Sequence, residues 1–291
     1  GEEDRPPLDD EEVAEDVEHL QARDGVQARG RLVEDEELGA VGEGQGQGQF
    51  DALPPRQVLD LDPGRHVQAG QEVVEQARRA AAAGADAVVA TCPFYALNDA
   101  AEIEDHFRAI GAAVDVPLFA YDVPVRLGGA RPTADSLVRL GADGVLAGVK
   151  DSSGDDVGFR RLVAANEIAG HPLALLTGHE CVVDGMLLLG ADGVVPGYGN
   201  VEPRPYVELW AAARRRDWEG ARRLQEGICA GFEIVHAPRG RSADATGIGA
   251  FKTVMEAQGT IASNEMAFPV KALEGETKEG VIAIARSRGL I

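Results

Sequence analysis

The pattern of apolar and polar positions changes character near residue 71. Downstream, QEVVEQARRAAAAGADAVVATCPFY, from Gln71 to Tyr95, sets valines and alanines at helical spacing, stops at Gly84 and then runs apolar. This is the text of an alanine-rich helix, a glycine stop and a buried strand. It recurs in GADGVLAGVK from Gly141 and GADGVVPGYG from Gly190, while VPLFAYDVP from Val116 and HPLALLTGHE from His171 are further apolar runs, each introduced by proline. Strands are therefore predicted to begin near residues 86, 117, 144, 173 and 192, with helices between them. Strands and helices alternating at that spacing make a parallel sheet covered by helices. After Asn200 only helical text follows, in PYVELWAAARRRDWEGARRLQEGICAGF, DATGIGAFKTVMEAQG and GETKEGVIAIARSRG.

Residues 1–70 read differently. They hold nineteen Asp and Glu against six Arg and no Lys, so that −13 of the chain's formal charge of −21 lies in this segment. Phe50 is its single aromatic, and the tract GEGQGQGQF interrupts scattered aliphatics, a composition near the limit where burial no longer offsets chain entropy. Two pieces carry structural signals: Val13, Val17 and Leu20 predict a helix near 10–22, and RQVLDLD predicts a short strand. The expected organisation is an atypical acidic segment over 1–70, strands with their helices over 71–204, and the last of these helices plus C-terminal helices over 205–291.

Composition narrows the function. The 44% hydrophobic content supports a sizeable core,. The acidic balance argues against nucleic acid, whose phosphates call for Lys and Arg, and against anionic membrane surfaces. Cys92, Cys181 and Cys229 lie far apart without metal-ligand spacing, which points to free thiols in a reducing compartment, with neither disulfides nor a zinc site. No apolar leader core or membrane-length apolar run is read, and the expectation is a soluble, cytoplasmic protein acting on small molecules.

Five parallel strands fit either an open doubly wound sheet or the last five strands of an eight-stranded barrel. No strand leads into G-x-G-x-x-G or G-x-x-x-x-G-K-[ST], so the nucleotide-binding open sheet loses support. In a barrel, functional side chains sit at the C-terminal ends of strands, and there the sequence puts Tyr95, Tyr121, Lys150, Thr177 and Tyr198. Of the four lysines, Lys252, Lys271 and Lys278 fall in helical or loop text, whereas Lys150 ends the apolar run Val145–Val149 in GVLAGVKDSSGD. An amine in an apolar barrel interior is disfavoured as a cation and can attack a ketone, and the resulting imine is an electron sink. The competing reading pairs Lys150 with Asp151 or Asp155 at the barrel mouth. Tyr121, at the end of the preceding strand, suits proton transfer to the same carbonyl, or is a core aromatic. Arg126 offers a fork for a substrate carboxylate, or is a solvated loop residue.

At these residues the chain resembles the dihydrodipicolinate synthase and N-acetylneuraminate lyase family of pyruvate-dependent class I aldolases. GADAVVATCPFY, YDVPVRLGG, GVLAGVKDSSGD, then LLTGHE with GADGVVPGYGN follow the family's order and place the likeness over about residues 71–291. The resemblance implies a (β/α)8 TIM barrel with a C-terminal helical segment, Lys150 as the imine-forming lysine and Tyr121 as the proton-transfer tyrosine. It makes Tyr95 a residue lent to a neighbouring subunit, hence a homo-oligomer, dimer or tetramer. Arg126 is implied to bind the aldehyde's carboxylate, with Gly178 and Val195 as further substrate-binding positions. Asp122 and Leu127 depart from the usual Asn and Thr of that motif, which keeps a keto-deoxy sugar acid or N-acetylneuraminate-type aldolase as an alternative to a dihydrodipicolinate synthase-like enzyme. The substrates implied are a keto acid and an aldehyde, with no metal or cofactor because the imine is itself the electron sink. The first three barrel strands are not visible in 1–70, and the nearest string to the family's hydroxyl-bearing loop is GAVGE, Gly39 to Glu43. A catalytically impaired barrel with an incomplete N-terminal half is therefore a third reading.

Overall fold

The computed structural model describes residues 63–291. The helix near 10–22, the RQVLDLD strand, the GAVGE string and the three further barrel strands sought upstream fall on 1–62, outside the described residues. Helix α1 (Pro63–Ala82) leads into β1 (Val88–Thr91), α2 (Ala100–Gly111), β2 (Leu118–Asp122), α3 (Ala134–Ala142), β3 (Gly148–Asp151), α4 (Asp156–Ile168), β4 (Ala174–Thr177), α5 (Val183–Leu189) and β5 (Gly193–Val194). The strands pair in sequence order and all pairs are parallel, each crossover being made by a helix as parallel neighbours require. Then come α6 (Arg204–Arg214), α7 (Trp218–Phe232), the short α8 (Ala243–Thr246), α9 (Ile248–Ala257) and α10 (Gly275–Ser287).

Local chemistry sets the helix starts. Asp99 accepts from the Glu102 amide at 2.9 Å while the Glu102 carboxylate accepts from the Asp99 amide at 3.0 Å, a reciprocal cap that satisfies two orphan donors of α2. Thr133 caps α3 through the Ser136 amide at 3.1 Å, and Asp217 caps α7 through the Gly220 amide at 2.8 Å.

The third strand corrects the sequence reading. The Val145–Val149 run was expected to be the strand, but β3 is Gly148–Asp151 and contains Lys150 itself. The three GAD repeats are not equivalent. Gly84 and Gly190 adopt φ of 94° and 114° and end their helices, whereas Gly141 stays helical and the left-handed turn falls at Gly144, φ 71°. Gly141 is needed for packing, since a Cβ there would lie 2.7 Å from the Leu173 side chain. The Val145 and Leu146 amides then close the end of α3 on the Leu140 carbonyl, at 2.9 and 3.2 Å, so the ladder starts later.

Buried apolar side chains form two clusters. One lies beneath the sheet and gathers Val88, Leu118, Ala120, Val149 and Leu175 from the strands with Phe107, Ile110, Leu140 and Phe159 from the helices. The other is helical, built around Tyr198, Leu209, Ile228, Ile234 and Leu273. The cysteines are free thiols, and burial pushes the Cys92 thiol up to about 12. Among the described residues no helix is long and apolar enough to cross a membrane.

His171 ties the turn between α4 and β4 to the entrance of β5. Its Nδ1 lies 2.8 Å from Glu167 and its Nε2 3.2 Å from Asp192, and the Glu167 hydrogen bond, joined by the Asp192 charge, raises its pKa above the ordinary imidazole range. A folded-state pKa raised above the unfolded value stabilises the fold fully below about pH 6.5 and loses that contribution as pH rises through the folded pKa. The pair is solvent-screened, so its contribution is below about 1 kcal/mol. Because His171 sits at φ 59°, asparagine, which tolerates that region, is the informative substitution. His171→Asn should lower the melting temperature at pH 5.5 and match the parent at pH 9, and a gap that does not shrink with pH would remove the charged role.

Candidate active site at the strand ends

Parallel register sets the site. Thr91 pairs with Tyr121, Tyr121 with Lys150, and Lys150 with Leu176. Residues paired across neighbouring strands point to the same face, so Thr91, Tyr121, Lys150 and Leu176 form one row near the C-terminal ends of four strands. The next row, Asp122, Asp151, Thr177 and Val194, points the other way. The first row is half-buried, whereas Asp122, Asp151 and Thr177 of the second are buried.

Within the first row the Lys150 Nζ stands 4.2 Å from the centroid of the Tyr121 ring. The ion pairs with Asp151 or Asp155 that offered a competing reading of Lys150 are not formed, because both aspartates are engaged elsewhere. Asp151 accepts from the Ser153 amide and hydroxyl, each at 3.0 Å. Asp155 caps α4 through the Gly158 amide at 2.8 Å and receives Arg131 Nη1 at 2.9 Å. The DSSGD tail behind the lysine is thus a helix-capping turn, and among the described residues the amine forms no ion pair with a carboxylate. Burial raises the pKa of both Asp122 and Asp151, opposed at Asp122 by Arg131, whose Nη2 lies 2.6 Å from Oδ2, and at Asp151 by Ser153.

Gly178 follows β4 and donates its amide to the Asp151 carbonyl at 2.7 Å. A Cβ there would stand 2.2 Å from Ser152 Oγ, and 3.5 Å, an ordinary contact, from Lys150 Cε, so it is the Ser152 hydroxyl that requires glycine at this position. Val195 follows β5 and extends the ladder, its amide donating to the Thr177 carbonyl at 2.8 Å. Tyr95 is 85% exposed at φ 74° in the loop after β1, beside the exposed Phe94 and Leu97. It does not reach Lys150's row from within this chain. Of the other strand-end polar residues, Tyr198 is fully buried and donates its hydroxyl to Glu202 at 3.0 Å, and Thr177 belongs to the opposite row.

Arg126, on the short turn Pro124–Arg126 after β2, was read as a free fork for a carboxylate. That fork is filled from within the chain by Asp244 of α8, Nη1 to Oδ2 at 3.0 Å and Nη2 to Oδ1 as a second, shorter bond. No sequence pattern links positions 118 residues apart. Glu180 was likewise quoted in LLTGHE without a role. Its carboxylate accepts from the Gly197 amide at 2.6 Å, the Tyr198 amide at 3.2 Å and the Tyr206 hydroxyl at 2.9 Å. Burial raises its pKa against those hydrogen bonds and the Lys150 charge. An acidic residue three positions past the end of β4 is the only signal in the sequence. Among the described residues, no group of three or more His, Cys, Asp or Glu is gathered as a metal ion would need.

A parallel sheet with its functional row at the strand ends and a lysine in that row defines a barrel-type α/β protein with an amine at its mouth. Residues 67–287 match the profile of the Dihydrodipicolinate synthetase family, and the chain belongs to that family. An uncharacterized DapA-like lyase of Halobacterium salinarum is 35% identical over 159 residues, 54% of this chain and 50% of that protein. A 4-hydroxy-tetrahydrodipicolinate synthase of Corynebacterium aurimucosum is 33% identical over 208 residues, 72% of this chain and 65% of that protein. The solved dihydrodipicolinate synthase of the commensal bacterium Bacteroides thetaiotaomicron superposes with a TM-score of 0.69 at 27% identity, covering 75% of this chain and 72% of that one. The described residues form five parallel strands with their helices, and this is the (β/α)8 barrel type of fold. The chain spans about half the length of the Halobacterium relative.

The Gly178 contact can be tested by relief of a clash. Gly178→Ala should destabilise the protein by about 1–3 kcal/mol, and adding Ser152→Ala should restore most of the loss because the blocking hydroxyl is gone. Thermal denaturation of the single and double variants is the measurement, and a double variant no better than Gly178→Ala alone would place the strain elsewhere.

Proposed function

We propose that the protein is a class I aldolase or lyase that holds pyruvate or a related 2-keto acid as an imine on Lys150 and makes or breaks a carbon–carbon bond to an aldehyde. The observation that carries this reading is the Lys150 amine 4.2 Å above the Tyr121 ring, at the strand ends. The Lys150 nitrogen attacks the keto carbon, and water leaves from the carbinolamine as the imine forms. Loss of a proton from the neighbouring carbon places the electron pair in an enamine, which adds to the aldehyde carbon. Hydrolysis then frees the product and the amine. Tyr121, next to Lys150 in the same row, is the group proposed to move protons to and from the oxygens involved. Gly178 and the Val195 backbone border the space proposed for the keto acid. The names of the relatives, lyase and 4-hydroxy-tetrahydrodipicolinate synthase, support the same chemistry.

A homo-oligomer is proposed because Phe94, Tyr95 and Leu97 present 69%, 85% and 102% exposed side chains on one loop, apolar surface that a second copy would cover. The free thiols support a reducing, cytoplasmic setting,.

Incubation with pyruvate and borohydride should add a reduced adduct to the peptide containing Lys150, and Lys150→Ala should abolish it. An adduct that persists in that variant would sink the assignment, and no adduct in the parent would favour a catalytically impaired barrel. Tyr121→Phe keeps the ring and removes the hydroxyl. Turnover should fall by about two orders of magnitude with the melting temperature nearly unchanged, whereas parallel losses of both would make Tyr121 a packing residue.

A further inference from the structure

Arg126 and Asp244 are held by well-formed turns on both sides. The Arg126 amide closes its turn on the Val123 carbonyl at 2.9 Å, and the Gly129 amide closes it again on the Pro124 carbonyl at 2.9 Å. Asp244 lies in the first turn of α8, whose N-cap Ser242 accepts from the Ala245 amide at 3.3 Å. Ala245, the next residue, is only 2% exposed and packs into the helical core. The two side chains are thus presented to each other by hydrogen-bonded turns at the surface, with the Arg126 side chain 55% exposed. Their contact uses both terminal nitrogens of the guanidinium and both oxygens of the carboxylate, the arrangement by which arginine recognises a planar carboxylate.

We propose that Asp244 sets acceptor specificity by standing in the Arg126 fork, so that the aldehyde taken at this rim is neutral and hydroxylated and carries no carboxylate. This deepens the aldolase reading and rests on it. An anionic acceptor would have to expel a carboxylate already seated on both terminal nitrogens of the guanidinium, or lie beside it and meet its negative charge. Like-charge juxtaposition of this kind is how an interface rejects a wrong partner. A neutral acceptor meets neither obstacle. Its hydroxyls can donate to the Asp244 oxygens and accept from the guanidinium N–H groups that the fork leaves over. Val125, 82% exposed beside Arg126, adds apolar surface and no compensating cation.

The test compares D-glyceraldehyde with succinic semialdehyde as acceptors, together with direct binding of glutarate by calorimetry, in the full chain. Asp244→Asn keeps the shape and removes the charge. It should raise the kcat/KM ratio of succinic semialdehyde to glyceraldehyde at least tenfold and tighten glutarate binding at least tenfold, and Arg126→Ala added to it should cancel both gains. Asp244→Ala should act in the same direction and covers any folding defect particular to asparagine. A parent enzyme that already prefers succinic semialdehyde, or an Asp244→Asn variant with unchanged glutarate affinity, would overturn the proposal. Glutarate binding does not require the imine, so failure of the borohydride adduct with a glutarate gain in Asp244→Asn would discard the aldolase reading while leaving Asp244 as the occupant of the fork.

Discussion

The parallel register between β2 and β3 is the constraint on which the site depends. It sets Tyr121 beside Lys150 and Asp122 beside Asp151. Because side chains alternate with period two, a slip of one residue would carry Lys150 under the helices and bring a buried carboxylate to the mouth. Two features oppose such a slip. The helix-facing row continues the alternation of Leu118 and Ala120 on β2 and Val149 on β3, all in the core, so a slip would expose them. Beyond the core, Arg131 joins Asp122 of β2 to Asp155, the cap of the helix after β3. Hydrophobic alternation and a partly buried ionic tie therefore select the same register.

The strand ends are also held from the C-terminal side. Glu180, after β4, gathers the amides of Gly197 and Tyr198 after β5 and the hydroxyl of Tyr206 on α6. A buried carboxylate with several donors is stable where an unpaired one would not be. It fixes two strand-end loops relative to each other. Arg126 and Asp244 make a second tie, from the turn after β2 to α8. The helical segment beyond the strands is in this way part of the rim of the site.

Much of this was legible in the sequence, and what was not has physical causes. The alternation of strand and helix came through because apolar runs bounded by glycine and proline mark parallel strands directly. Lys150 stood out because a cation at the end of such a run has no packing role. β3 was placed too early because Gly141, Gly144 and Gly190 look alike as letters, while one serves close packing and the others a left-handed turn. The partners of Arg126 and Glu180 were invisible for a different reason. Asp244 and Tyr206 come near only through tertiary folding, and no periodicity encodes such a contact. Local pattern thus reveals the groups that carry chemistry more readily than the groups that restrain them.

The buried acid row behind Lys150 shows how those restraints are distributed. Asp122 is 3% exposed, and its Oδ1 is buried without a hydrogen-bond partner among the described residues while Oδ2 is held by Arg131. Burial raises its pKa and the guanidinium opposes the rise, so the aspartate side chain depends on Arg131 for its charge to be tolerated. Arg131 in turn also holds Asp155, whose other oxygen caps α4. Replacing Arg131 by an apolar residue would strand both carboxylates, because Asp122 and Asp155 share its guanidinium. The helix cap and the end of β2 are thereby coupled through one arginine, which ties the position of the turn after Lys150 to the backbone on which Tyr121 is carried.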